Sequence, residues 1–191
     1  MNPYHDQKTI TFVVPCYNSA DYMDHCIESL LIGSADIEIV IVDDGSTKDN
    51  TAAKADQWQA AHPDLIKVIH QENKGHGGAV MAGLRAASGV YFKVVDSDDW
   101  LDRDALSIML SRLRHFIASG SPVDLAIANY VYEHTYTGTR KVIRYNGALP
   151  KNRVFTWNET GFFGFGQNIL MHSAIYRTQV LRDSGLELPE H

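Results

Sequence analysis

The strongest constraint on the fold is an alternation: short β-rich runs recur at intervals of roughly 25 residues, with helix-spaced segments between them. Thr9–Pro15, Ile37–Val42, Ile66–His70, Val90–Val95 and Asp124–Asn129 read as strands. Ala20–Ile32, Asn50–Ala61, Gly77–Ala87 and Arg103–Phe116 read as helices. In the first of these, Tyr22, Met23, Cys26, Ile27, Leu30 and Leu31 recur at helical spacing. His62-Pro63 stops the second helix and Ser88-Gly89 the third. The run IEIVIV over 37–42 is apolar at five of six positions, as a strand covered on both faces must be. Such an order builds βαβ units with right-handed crossovers, hence an α/β chain with a mostly parallel sheet flanked by helices.

After Asn129 the period fails. Val131–Tyr136 and Arg140–Tyr145 flank Thr137-Gly138-Thr139 as a β-hairpin. Asn146–Asn168 is rich in Gly and Phe and has no period, a length that suits a binding or lid loop. Ile169–Arg177 reads as a last strand and Thr178–Ser184 as a short helix.

Composition narrows the function classes. The 191 residues, 45% hydrophobic and 21% charged, suffice for one globular domain with its own core. With 17 Lys and Arg against 23 Asp and Glu, the net charge of -6 argues against a whole-surface attraction to nucleic acid or anionic lipid. There is no apolar run of about 18 residues to span a membrane. Met1–Lys8 is polar and lacks a signal-peptide core. Cys16 and Cys26 are too few for a disulfide scaffold or a four-ligand zinc site. The simplest location is the cytoplasm, with the inner face of a membrane as the alternative.

In an open parallel sheet, ligands sit outside the carboxyl ends of the strands. Here those ends read Pro15-Cys16-Tyr17-Asn18, Asp43-Asp44-Gly45-Ser46, Gln71-Glu72-Asn73-Lys74-Gly75-His76-Gly77-Gly78, and Asp96-Ser97-Asp98-Asp99. All four are polar, small or acidic, so they would share one crevice. The aspartates at 96, 98 and 99 suit a hard cation, Mg²⁺ or Mn²⁺, bridging to diphosphate oxygens. The plainer reading makes them turn formers and caps for the helix near Arg103. Asp43 and Asp44 could bind a base or ribose, or could form a tight turn, with Ser46 or Thr47 as the N-cap of the next helix. Tyr17 could stack on a nucleobase or simply pack. The glycines at 75, 77 and 78 match neither a dinucleotide fingerprint nor a Walker loop, yet allow close approach of an anion at a helix start. Lys74 and His76 would add charge there, or be solvated. From Thr135 to Asn158 the chain has Arg140, Lys141, Arg144, Lys151 and Arg153 and no acidic residue. This patch would face a phosphate-bearing acceptor or a membrane, or be a solvated hairpin face.

Together, VVPCYNSADYMDHCIESLL, IEIVIVDDGSTKDNT and ENKGHGGAVMAGLRAASGVYFKVVDSDDWL resemble the family 2 glycosyltransferases over about residues 9 to 116. The resemblance implies a GT-A fold, a Rossmann-type sheet with an irregular C-terminal acceptor region. It implies one domain over 1–191, with a nucleotide-sugar-binding part at 9–116 and an incomplete acceptor-side part at 117–191. The donor-binding set it implies is Pro15, Tyr17, Asp43, Asp44, Asn73, Lys74, Gly75, Asp96 and Ser97. Asp96 and Asp98 match the DxD element that holds Mg²⁺ or Mn²⁺, with Asp99 assisting. The donor would be a nucleotide-diphospho-sugar, a UDP-sugar first among them, and the acceptor a saccharide or lipid-linked saccharide; nucleic acid is not expected. Inversion needs a carboxylate base on the face opposite the leaving group. Asp183, Glu187 and Glu190, the only late carboxylates, do not form the family's acidic pair, so the base is expected beyond His191 and the chain is read as a fragment. Two rivals stand beside this reading. One is a sugar-phosphate nucleotidyltransferase, which would want a Gly-rich basic loop after the first strand; the other is a non-catalytic nucleotide-sugar-binding domain.

Overall fold

The computed structural model describes residues 4, 7–32, 35–134 and 137–190. They divide into two compact units, one formed by Met1–Asp124 with Tyr176–His191 and the other by Leu125–Ile175.

The first unit holds β1 (Ile10–Cys16), α1 (Met23–Leu30), β2 (Ile37–Asp43), α2 (Thr51–Ala61), β3 (Ile66–His70), α3 (Gly75–Ala86), β4 (Tyr91–Val94) and α4 (Arg103–Ala118). Its strands lie in the order β3-β2-β1-β4, every pair parallel, with Ile10 opposite Ile37 on one side and Tyr91 on the other. The β-rich alternation therefore closes into the α/β sheet that the sequence implies. β1 is buried along its whole length and β2 at all positions but Glu38, so both central strands are covered on two faces. Pro15 sits in the central strand without harm. The pairing of β1 with β4 has ended at Val13, so the missing N–H of Pro15 breaks no bond on that side.

The starts of α1, α2 and α3 differ a little from their sequence signals, while α4 starts at Arg103 as expected. α1 is shorter than Ala20–Ile32, because residues 19–22 form a turn in which both Tyr22 N and Met23 N donate to Ser19 O, at 3.0 Å each. Its buried stripe is Met23, Cys26, Ile27 and Leu30, while Tyr22 is exposed. Neither Ser46 nor Thr47 caps α2; the cap position is Asn50, three residues past Thr47. α3 starts two residues early, at Gly75, whose φ of 75° turns the chain into the helix. Asp102 caps α4 by accepting from Ala105 N at 2.8 Å, so capping does not occupy the carboxylates at 96–99.

The last strand is also shorter than Ile169–Arg177. Met171–Ser173 makes a 3-10 turn, and β8 spans only Ala174–Arg177. Its Tyr176–Arg177 end runs antiparallel to β4 in the first unit, and α5 (Thr178–Asp183) follows. Arg182 of α5 donates to the carbonyls of Leu84 and Ala87, and Thr178 Oγ1 to Gly89 O, which fastens this segment to the end of α3.

The second unit contains β5 (Leu125–Ile127), which lies beside β8, and the hairpin of β6 (Tyr130–His134) and β7 (Thr139–Ile143). The expected hairpin is present; residues 135–136 of its turn lie outside the described set. Its small core is Tyr145, Ala148 and Leu149, packed by Ile127, Tyr130, Phe155, Phe163 and Ile169. Residues 146–168 carry only one short 3-10 turn, Trp157–Glu159. Among the described residues no helix is long and apolar enough to cross a membrane.

Candidate functional site

In the first unit the chain runs from β1 outward to β2 and β3, then returns to add β4 on the other side of β1. Ligands of open α/β sheets bind at such a reversal, outside the carboxyl ends. Tyr17 follows β1 and Asp96 follows β4, so the two flank that point.

The β1 and β2 ends are tied together. Asn18, with a left-handed backbone at φ 51°, receives bonds from Thr47 N (3.2 Å) and Lys48 N (3.0 Å) on its side-chain oxygen. Its own N–H donates to Ser46 Oγ at 2.9 Å. Gly45, at φ 73°, brings this loop against the next one: a Cβ there would lie 2.8 Å from Asn73 N. Asp43 and Asp44 hold the loops from below. They are only 4% and 3% exposed. Asp43 accepts from Ser46 N (3.1 Å) and faces His70 Nδ1 (2.9 Å), while Asp44 Oδ1 accepts from Gln71 Nε2 (2.7 Å) and Lys74 N (2.9 Å). Above them lies an open groove of about 640 Å³ lined by Tyr17, Gly45, Thr47, His70, Gln71, Glu72 and Asn73. Tyr17 is 47% exposed beside it, a ring face available for stacking.

The third strand end leads to α3. Asn73 Oδ1 accepts from Gly75 N at 3.1 Å. The Lys74 ammonium is 3.1 Å from Glu190, and a Cβ at Gly77 would run into the carbonyl of Pro189. The small residues at the start of α3 therefore make room for the 188–190 segment of the same unit.

The fourth strand end carries the acidic group. Asp96 Oδ1 lies 2.8 Å from His76 Nε2, and Asp96 O accepts from Asp99 N at 2.9 Å. Ser97 Oγ donates to Ser19 Oγ at 2.9 Å, linking this loop to the one after β1. A carboxylate oxygen of Asp96 and one of Asp99 lie within 4.8 Å of each other, a span that two ligands of one small divalent cation can bridge. Asp98 is exposed. The two carboxylates, Asp96 and Asp99, offer hard oxygen of the kind that Mg²⁺ or Mn²⁺ takes. Beneath, Lys93 is buried in β4; burial pushes its pKa down to about 8, against the pull of Asp99 and Asp96. Both cysteines are buried and free, and burial with the charges of Asp43 and Asp49 pushes Cys16 up to about 12, which makes it no nucleophile.

The structure thus gathers Tyr17, Asp43, Asp44 and Asn73 around one groove, and Asp96, Ser97 and Asp98 at the next strand end. Pro15 is buried within β1, and Lys74 reaches Glu190. Sequence reading placed Asn18, His70 and Gln71 at strand ends but gave none of them a role. The signal for the last two was position alone: His70 ends the third strand and Gln71 follows it.

The parallel strands, the groove at their polar ends and the acidic turn after the fourth agree with the GT-A fold that the family resemblance implies. The Glycosyl transferase family 2 model matches residues 11–179, and the chain belongs to that family. The putative glycosyltransferase EpsH of Bacillus subtilis (strain 168) is 38% identical over 130 residues, 68% of this chain and 36% of that protein. S. aureus TarS in complex with UDP superposes with a TM-score of 0.69 at 22% identity, over 95% of this chain and 50% of that one. The mannosyltransferase PcManGT from Pyrobaculum calidifontis gives 0.62 at 19% identity, over 97% and 49%. The chain therefore spans about a third of that curated relative and half of each solved structure.

Proposed function

We propose that this chain is the donor-binding part of an inverting glycosyltransferase that moves a sugar from a nucleotide-diphospho-sugar to an acceptor hydroxyl. The observation that carries the reading is the juxtaposition at the strand ends: a groove bordered by Tyr17 and Asn73, and an acidic pair, Asp96 and Asp99, after β4. The groove takes the nucleoside, with Tyr17 against the base and the loops held by Asp43 and Asp44 around it. Pro15 sets the start of the β1 loop, Asn73, Lys74 and Gly75 border the nucleotide, and Ser97 shapes the turn that presents Asp96. When bound, Mg²⁺ or Mn²⁺ offsets the negative charge that develops on the departing diphosphate. Asp96, with Asp98 or Asp99, would hold it. Similar folds support the donor class: TarS was solved with UDP and with UDP-GlcNAc, and PcManGT with GDP-Man and Mn²⁺. A UDP-sugar is the first donor to test. Residues 9–116 form the donor part and 117–191 belong to the acceptor side, for a saccharide or lipid-linked hydroxyl. No described side chain is assigned as the general base.

Calorimetry with UDP, GDP and dTDP, each with and without Mn²⁺, tests this. We expect one nucleotide to bind in a metal-dependent way. Asp96→Ala should weaken it at least about tenfold, the scale of one lost charge-assisted contact. Asp98→Ala and Asp99→Ala then decide which neighbour completes the site. Failure of all three nucleotides to bind would remove the reading. Binding by a longer form of the protein that never releases or transfers sugar would favour the non-catalytic alternative.

A further inference from the structure

One chain of hydrogen bonds around the groove is not used by the donor-binding role itself. His70 ends β3 with Nδ1 2.9 Å from Asp43 Oδ2 and Nε2 3.0 Å from Asp56 Oδ1. Both ring nitrogens face carboxylates. A neutral imidazole has one N–H and one lone pair, so only the imidazolium satisfies both partners. The chain continues inward: the other oxygen of Asp43 accepts from Ser46 N, and Ser46 Oγ accepts from Asn18 N. It therefore runs from α2 through the ends of β3 and β2 to the loop after β1. His70 itself borders the groove, as do Gly45 and Thr47 beside Ser46 and Tyr17 beside Asn18. The two carboxylates are not equivalent. Asp56 is exposed and water can replace His70 there, whereas Asp43 is buried and water cannot.

We propose that His70 is a positioning residue of the nucleotide groove: in its charged form it holds Asp43, and through Asp43 the β2–α2 loop, in the shape that takes the nucleoside, so donor affinity falls as the ring loses its proton. The inference rests on the groove being the nucleotide site. The charged and titratable groups facing the ring are Asp43 from β2 and Asp56 from α2; Tyr17 and Glu72 line the same groove. The hydrogen bond to Asp43, then that to Asp56, raises the His70 pKa above the ordinary histidine value, with burial opposing. The sign follows. Affinity is at its plateau below about 6.5, the ordinary value, and is lost as pH rises through the raised one. By linkage, bound nucleotide must raise the His70 pKa further, by the same factor as the affinity change.

The experiment is calorimetry of UDP at fixed saturating Mg²⁺ from pH 6 to 9, on the wild type and His70→Gln, with an NMR titration of the His70 ring with and without UDP. The nucleotide and the metal titrate identically in both proteins, so the difference between the two profiles belongs to His70. We expect wild-type affinity to fall about tenfold across the range relative to His70→Gln, an ordinary size for coupled sites. His70→Gln should lie near the high-pH wild-type level throughout. Asp56→Asn, an exposed change on α2, should move the fall to lower pH, and it serves as the deciding variant if His70→Gln does not fold. Parallel profiles, or a His70 pKa that UDP leaves unchanged, overturn the proposal while the donor reading stands. If UDP does not bind, the same profiles are taken with GDP or dTDP, and failure of all three nucleotides to bind at every pH overturns both.

Discussion

Asp43 and Asp44 show what a residue's identity conveys and what it conceals. Two carboxylates at a strand end suggest a site, and their position at the end of β2 was legible from IEIVIVDDGS. Their work in the fold was not: each is buried and spends oxygens on loop N–H groups or side chains from distant segments. Apart from Ser46 N, three residues from Asp43, these partners lie 27 or 30 residues away and leave no local pattern. Lys93 is a second case. The strand expected over Val90–Val95 includes Lys93, but nothing local says that this lysine is buried, and it is only 5% exposed in β4. Its pKa of about 8 means that the unfolded chain binds the extra proton between about pH 8 and 10.5. Stability should therefore rise with pH across that window. Urea denaturation of the wild type and Lys93→Met at pH 7.5, 9 and 10.5 would show it: the gap in favour of the variant should narrow as pH rises. A constant gap would mean that burial does not disfavour the charged ammonium.

At the scale of elements, the hydrophobic period located β1 to β4 and α1 to α4 to within about three residues, because apolar faces meeting a sheet must repeat. The ends were less legible. Ser46 and Thr47 look like caps in sequence, but the β2–α2 loop uses Ser46 to bind Asn18, and α2 starts later. Beyond residue 168 the reading of one long strand failed because Met171–Ser173 turns, closed by Ser173 N and Oγ, which both donate to Leu170 O. Helix-to-sheet distance is also set by single residues. Gly83 on α3 lies directly on Val13 of β1, and a Cβ there would drive into both Val13 methyl groups. Gly83→Ala should gain helix propensity yet lose stability by about 1–3 kcal/mol through overpacking. Denaturant melting of this variant checks it, and Gly83→Ala with Val13→Ala should recover part of the loss. An unchanged midpoint in the single variant would show that α3 can lift from the sheet at little cost. The α1–α2 contact is polar instead: Asp24 accepts from Lys54 Nζ at 2.6 Å and Trp58 Nε1 at 2.9 Å. The lysine bond above all holds its carboxyl below the usual value. That contribution is present above about pH 3.9 and is lost as pH falls through the depressed folded value. Asp24→Asn should thus narrow the stability difference between pH 6 and pH 3 in urea melts, and an identical acid loss in both proteins would argue against it.

For the whole molecule the deciding quantity is where the charge sits. Leu125–Ile175 holds five Lys and Arg against two Glu, which leaves twelve basic and twenty-one acidic residues for the unit that carries the groove. A nucleoside diphosphate approaching that unit is an anion meeting an excess of carboxylates. The nearest cation of the α3 loop, Lys74, is already paired with Glu190. The electrostatic case for a divalent cation at Asp96 thus reaches beyond its ligands: without it, the surrounding field opposes the donor. This gives the salt dependence a sign that a basic anion site would not show. Between about 10 and 150 mM salt the screening length falls from about 30 to about 8 Å. Metal-free UDP should then bind more tightly as salt is added, by a few-fold, since repulsion is what is screened. With Mg²⁺ present the affinity should be higher and the slope reversed, because salt now screens an attraction. Glu190→Gln should raise the metal-free affinity by releasing Lys74 toward the diphosphate. Fluorescence-detected displacement of a labelled UDP across the salt series measures all three. Metal-free binding that weakens steadily with salt would place the diphosphate against a basic surface and away from the end of β4.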